Sequence, residues 1–167
     1  MNKTLPSRMV AVVGVVVVAL VVVACGGSSS SGGGAYGGAR PAATKSSDTA
    51  ASVGLGSTKL GKILVDGKGQ TLYLFEKDKG TTSTCDGGCA SAWPPLTTTG
   101  KPTAGAGVIA SKLGTAKRAD GTTGVTYDGH PLYTYAGDEA PGQTTGQGSD
   151  SFGAPWYVLT RTGNAVE

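Results

Sequence analysis

Two copies of one short pattern lie sixty positions apart: Tyr73-Leu74-Phe75-Glu76-Lys77-Asp78 and Tyr133-Thr134-Tyr135-Ala136-Gly137-Asp138, both Tyr-x-aromatic-x-x-Asp. A repeat constrains a fold more than any single residue does, because it implies a duplicated unit that buries its apolar face against its neighbour. A Leu precedes each copy (Leu72, Leu132), and the large residues alternate with the period of a half-buried strand that stops at its Asp. The likeness extends outward. Lys59-Leu60-Gly61 and Lys112-Leu113-Gly114 each lead into a strand-like stretch ending in Asp-Gly, and each motif is followed by a loop and a Trp, Trp93 or Trp156. The second unit carries an additional hairpin between its Asp-Gly and its Leu-Tyr.

Helix signals are poor. The chain holds 29 glycines in 167 residues, and after the N-terminal segment no long stretch shows an apolar stripe at helical spacing. Strand signals are plentiful. Lys62 to Val65 and Thr71 to Phe75, joined by Asp66-Gly67-Lys68-Gly69, read as a hairpin; Thr115 to Arg118, Val125 to Tyr127 and Leu132 to Tyr135 read as a meander; Trp156 to Thr160 reads as a last strand. Asp128-Gly129 is the strongest turn signal, since a two-residue hairpin loop needs positive φ at both positions. The pattern predicts an all-β domain of two tandem antiparallel repeats, 52–110 and 111–167, packed as a small sandwich or barrel-like body over 52–167.

The N-terminus predicts an address. Lys3 and Arg8 precede a continuous apolar run from Met9 to Val23 broken only by Gly14, and the run ends at Val22-Val23-Ala24-Cys25. These are the parts of an export signal over 1–24, and the apolar run is short for a membrane-spanning helix, which needs about 20 residues. A Cys placed directly after the small-residue site resembles a bacterial lipobox, which implies that Cys25 receives diacylglycerol and anchors the mature chain to the outer face of the cell membrane. Residues 25–51 are then Cys25 and a Gly/Ser/Ala tether, expected to be disordered. Without Lys3 and Arg8 the 14 basic residues fall to 12, against 11 acidic, and no cluster of basic residues interleaved with aromatics exists. No nucleic-acid partner is expected.

Few residues can carry chemistry. Outside the cytoplasm Cys85 and Cys89 favour a disulfide, with Gly87 and Gly88 permitting the fold-back. The rival reading makes them a soft-metal or redox pair holding copper, with His130, the one histidine, as third ligand. An envelope hydrolase built on His130 is the third reading, although no Gly-x-Ser-x-Gly elbow and no Ser-x-x-Lys accompanies it. Asp78 and Asp138, equivalent by repeat, are expected to cap the loops after their strands rather than to act as a catalytic or calcium-binding pair, because neither opens an acidic series. Tyr73, Phe75, Tyr133 and Tyr135, with the two Trp, are expected in the core; an exposed face would instead make them a platform for sugars.

The lipobox, the doubled Tyr-x-aromatic-x-x-Asp, Cys85-x-x-x-Cys89 with Trp93-Pro94-Pro95, and Arg118-Ala119-Asp120-Gly121 through Tyr127-Asp128-Gly129-His130-Pro131-Leu132-Tyr133 together resemble the secreted-repeat lipoproteins common in actinobacteria. The likeness covers residues 57 to 163. It implies an extracytoplasmic lipoprotein with tandem repeats and supplies no activity, since the family is of unknown function. The expectation is a lipid-anchored envelope module that binds or supports, not an enzyme, with no cofactor, its partners being the membrane through Cys25 and a cell-wall or envelope protein.

Overall fold

A computed structural model of the protein describes residues 50–167. The leader and nearly all of the tether, with Cys25, lie outside the described residues. Nine strands follow in order: β1 (Ser52–Thr58), β2 (Gly61–Asp66), β3 (Tyr73–Phe75), β4 (Thr103–Ala104), β5 (Leu113–Lys117), β6 (Thr123–Tyr127), β7 (His130–Pro131), β8 (Asp150–Ser151) and β9 (Ala154–Val158). The one α-helix among the described residues, α1 (Gly88–Ala92), is a single short turn. The fold is all-β. It comprises three three-stranded sheets ordered β2-β1-β4, β3-β9-β8 and β5-β6-β7, and only the β1–β4 pairing is parallel.

Several local signals resolve as the chain dictates. Tyr127 faces His130 across a two-residue turn in which Asp128 has φ 50° and Gly129 φ 85°, the two positive angles that Asp-Gly provides. Others resolve differently. The hairpin expected between 62–65 and 71–75 closes only at its base, where Val65 bridges Thr71. Beyond it β3 leaves its own repeat and pairs with β9, Tyr73 opposite Val158 and Phe75 opposite Trp156. The partner of β2 is β1, a strand whose glycines hide it in the sequence; Gly56 lies where a Cβ would be 2.7 Å from Val65.

The motif strand is not half-buried, as its alternation predicts, but buried on both faces. Tyr73 and Phe75 enter one apolar cluster, Leu72 and Leu74 the other. The same division splits Ile63 from Leu64, Tyr133 from Leu132, and Val158 from Leu159. A layer of central strands thus separates two cores, and each core draws side chains from both repeats. The reason is that β3 lies inside the fold, where a polar residue at alternate positions would have no water to reach.

One turn is strained. Between β8 and β9, Phe152 has φ 61° and Gly153 φ 92°, and Phe152 is 45% exposed. A bulky residue at positive φ costs energy that Asn or Gly would not. Phe152→Asn is therefore expected to stabilise the protein by about 1 kcal/mol in urea unfolding. Destabilisation by the substitution would show that Phe152 makes a compensating contact.

Candidate functional site

The motif tyrosines of the two repeats meet each other, and each motif aspartate meets the tyrosine of the other repeat. Tyr73 and Tyr133 form a reciprocal backbone pair, the N–H of each donating to the carbonyl of the other at 2.8 and 3.0 Å. Their hydroxyls then diverge. Tyr73 OH donates to Asp138 Oδ2 at 2.7 Å, and Tyr133 OH donates to Asp78 Oδ2 at 2.6 Å. Each tyrosine is bound by the aspartate of the opposite repeat, not by the one five residues along its own chain.

The other oxygen of each aspartate caps the loop that follows it. Asp78 Oδ1 accepts from the N–H and hydroxyl of Thr84 at 2.7 and 2.9 Å; Asp138 Oδ1 accepts from those of Thr145 at 2.9 and 2.5 Å. The carboxylates therefore join two jobs, ending a strand in one repeat and holding a phenol from the other.

The rings repeat the symmetry. Phe75, Trp156, Trp93 and Tyr135 stack in that order, with centroids 4.0, 4.0 and 4.3 Å apart. Tyr73 meets the edge of Trp93, and Tyr133 that of Trp156, both at 5.2 Å. First-repeat and second-repeat rings alternate along the stack. Its close end is kept clear by Gly146, where a Cβ would sit 2.6 Å from the Trp93 ring. Tyr73, Phe75, Tyr133, Trp93 and Trp156 are all buried and only Tyr135 is partly open, so these rings form no sugar platform.

Burial, followed by the hydrogen bond and charge of Asp138, holds the Tyr73 phenol well above its ordinary value of 10.0; burial and then Asp78 do the same for Tyr133. Ser83 Oγ opposes this at Tyr133 from 2.7 Å. The sign is that of a raised folded-state value. The stabilisation is complete below pH 10, where both states hold the proton, and is lost as pH rises past 10 and only the unfolded chain ionises. Alkaline unfolding should set in above about pH 10, with tyrosinate absorbance from these two residues appearing only as the fold is lost. Early ionisation of all six tyrosines in a folded protein would refute it.

Cys85 and Cys89 are joined as a disulfide with Cα atoms 5.2 Å apart, and both lie in the aromatic core. So small a ring removes only about 2 kcal/mol of chain entropy from the unfolded state, so its main effect is to pin the loop leading to Trp93. His130 sits half-buried at the start of β7, just after its turn; among the described residues no three His, Cys, Asp or Glu side chains gather around a point, and it does not join the cysteines as a third ligand.

Arg118 is the residue that sequence reasoning undervalued. Its side chain is 3% exposed. The guanidinium donates to Ser83 Oγ at 2.6 Å, to the Cys85 carbonyl at 2.8 Å and to Asp86 Oδ1 at 3.2 Å, and its Nε faces Asp120 Oδ2 at 3.5 Å. It fastens the disulfide loop of the first repeat to the β5–β6 hairpin of the second. Because Arg118 and the Cys85 N–H both donate into Ser83 Oγ, the Ser83 proton is left for the Tyr133 oxygen and the Tyr133 proton for Asp78. A signal for this existed in Arg118-Ala119-Asp120-Gly121, where a cation stands beside a turn, but nothing local indicated a partner more than thirty residues away.

What remains open to solvent is of another kind. Between the 97–102 segment and the β5–β6 hairpin lie two adjoining clefts whose linings include six threonines, with Lys101 and Lys117 among the other lining residues. None of these residues stood out in the sequence, where a run of Thr reads only as strand or loop.

A family model described as a secreted repeat of unknown function matches residues 54–97 and 114–160, together over half of the chain. The two matched segments are the two halves that exchange their Tyr and Asp contacts. No curated protein and no solved structure was found to match the chain significantly.

Proposed function

The chain belongs to this family of secreted repeats of unknown function, and from that we propose that it is a lipid-tethered, non-catalytic module of the cell envelope that binds or supports a neighbouring component. The observation that carries the reading is the reciprocal Tyr73–Asp138 and Tyr133–Asp78 pairing. The groups that would attract a catalytic interpretation are spent on locking two repeats into one rigid body, leaving the outer surface for recognition. The tether follows from Val22-Val23-Ala24-Cys25, which supplies an acylation site; two or three acyl chains make attachment persistent.

The test is cell fractionation of the full chain with metabolic labelling by palmitate. Label and protein should both appear in the membrane fraction, and Cys25→Ser should release unlabelled or unprocessed chain. Labelled Cys25→Ser protein, or wild-type protein recovered unlabelled in the medium, would refute the anchor.

A further inference from the structure

The two clefts measure ≈ 490 and ≈ 450 Å³ and share Thr99 and Thr123, so they adjoin as one groove. Each is within the size range of ligand sites. The Oγ atoms of Thr97, Thr99, Thr115 and Thr123 make no side-chain hydrogen bond among the described residues, although other threonines, such as Thr84, Thr98, Thr122 and Thr145, do. Lys101 and Lys117 likewise have no carboxylate within ion-pair distance among those residues, whereas Lys112 is paired with Asp128. No acidic residue lines either cleft. Asp120, beside the groove at Gly121, is already engaged: Thr122 donates twice to its Oδ1, and its Oδ2 faces Arg118.

We propose that this groove binds an anionic, hydroxyl-rich chain, that is, a glycan or polyol polymer carrying phosphate or carboxylate groups. Threonine hydroxyls both donate and accept, which matches sugar and polyol hydroxyls. Lysine ammonium groups pair with phosphate or carboxylate as point charges. Leu113, half-buried in the lining, offers an apolar surface to C–H faces. Two clefts in series suit successive units of a polymer better than one compact molecule. With the large aromatics buried, each unit binds weakly, and repetition along the polymer raises the overall affinity.

The proposal rests on the envelope-module reading and is tested so that the two can fail separately. The full chain in detergent micelles is titrated with poly(glycerol phosphate), hyaluronan and neutral dextran. Binding of at least one anionic polymer is expected, weakening as salt rises, with dextran about tenfold weaker or more. Which anionic polymer binds more tightly tells phosphate from carboxylate recognition. Lys101→Gln with Lys117→Gln should lose about tenfold for that polymer, while Lys59→Gln with Lys62→Gln, outside the groove, should not. Equal binding of dextran, or equal losses in both double variants, overturns the assignment. Co-sedimentation with isolated cell-wall fragments reports on the broader reading: if the wild type sediments and the Lys101/Lys117 variant does so equally, only the groove falls; if the wild type does not sediment, the wall-binding reading falls with it.

Discussion

Trp156→Ala is expected to destabilise the protein by about 3–5 kcal/mol, a large part of the stability of a domain this size. The indole is fully buried and stands in the middle of the stack, 4.0 Å from the Phe75 ring on one face and 4.0 Å from Trp93 on the other. Its Nε1 also donates to the Ser151 carbonyl at 3.0 Å. Truncation opens a cavity bounded by rings from both repeats, which cannot collapse without shifting β3 against β9. Trp156→Phe keeps one ring and should cost less than half as much. Urea unfolding followed by circular dichroism measures both. A loss below about 1.5 kcal/mol for the alanine variant would mean that the stack is not the centre of the fold.

The second large effect is the coupling between repeats. Tyr73→Phe removes the donor to Asp138, leaving a buried carboxylate oxygen short of one partner; Asp138→Asn weakens the acceptor that also holds Thr145. Each single change should cost about 1.5–3 kcal/mol, as expected for hydrogen bonds to a charged group. The double variant should cost less than their sum by about 1 kcal/mol or more, since the second change removes an interaction already lost. The mismatched combination, Tyr73→Phe with Asp78→Asn, should be additive, because Asp78 binds Tyr133 instead. Coupling in the mismatched combination and additivity in the matched one would overturn the reciprocal arrangement.

Much of the fold is legible in the sequence where the signal is local. Asp128-Gly129 specifies its turn because two positive φ angles are cheap only for such residues. The Tyr, Phe and Trp of the repeats are core residues because each large ring buries about 150–250 Å² of surface, more than any aliphatic side chain of the chain. The β1 strand escaped notice because Ser52–Thr58 carries two glycines that make room for neighbouring side chains rather than advertise a strand. The candidate sites were legible in part. The residue types of the motif were evident, yet Arg118 and the threonine–lysine groove were not, since their meaning depends on segments that meet only in space.

By itself the sequence determined an all-β, twofold repeated domain, the residues that must be buried, and the turns that reverse the chain. These follow from side-chain period and backbone φ, which act within a few residues. Tertiary structure decided the pairing. Each tyrosine has two equivalent aspartates available, its own and that of the other repeat, and composition cannot choose between them. The choice is made where β3 pairs with β9 and Tyr73 with Tyr133, which places each phenol beside the strand end of the opposite repeat. A strand followed by a turn carries its own Asp away from its Tyr, and so the motif closes only between copies.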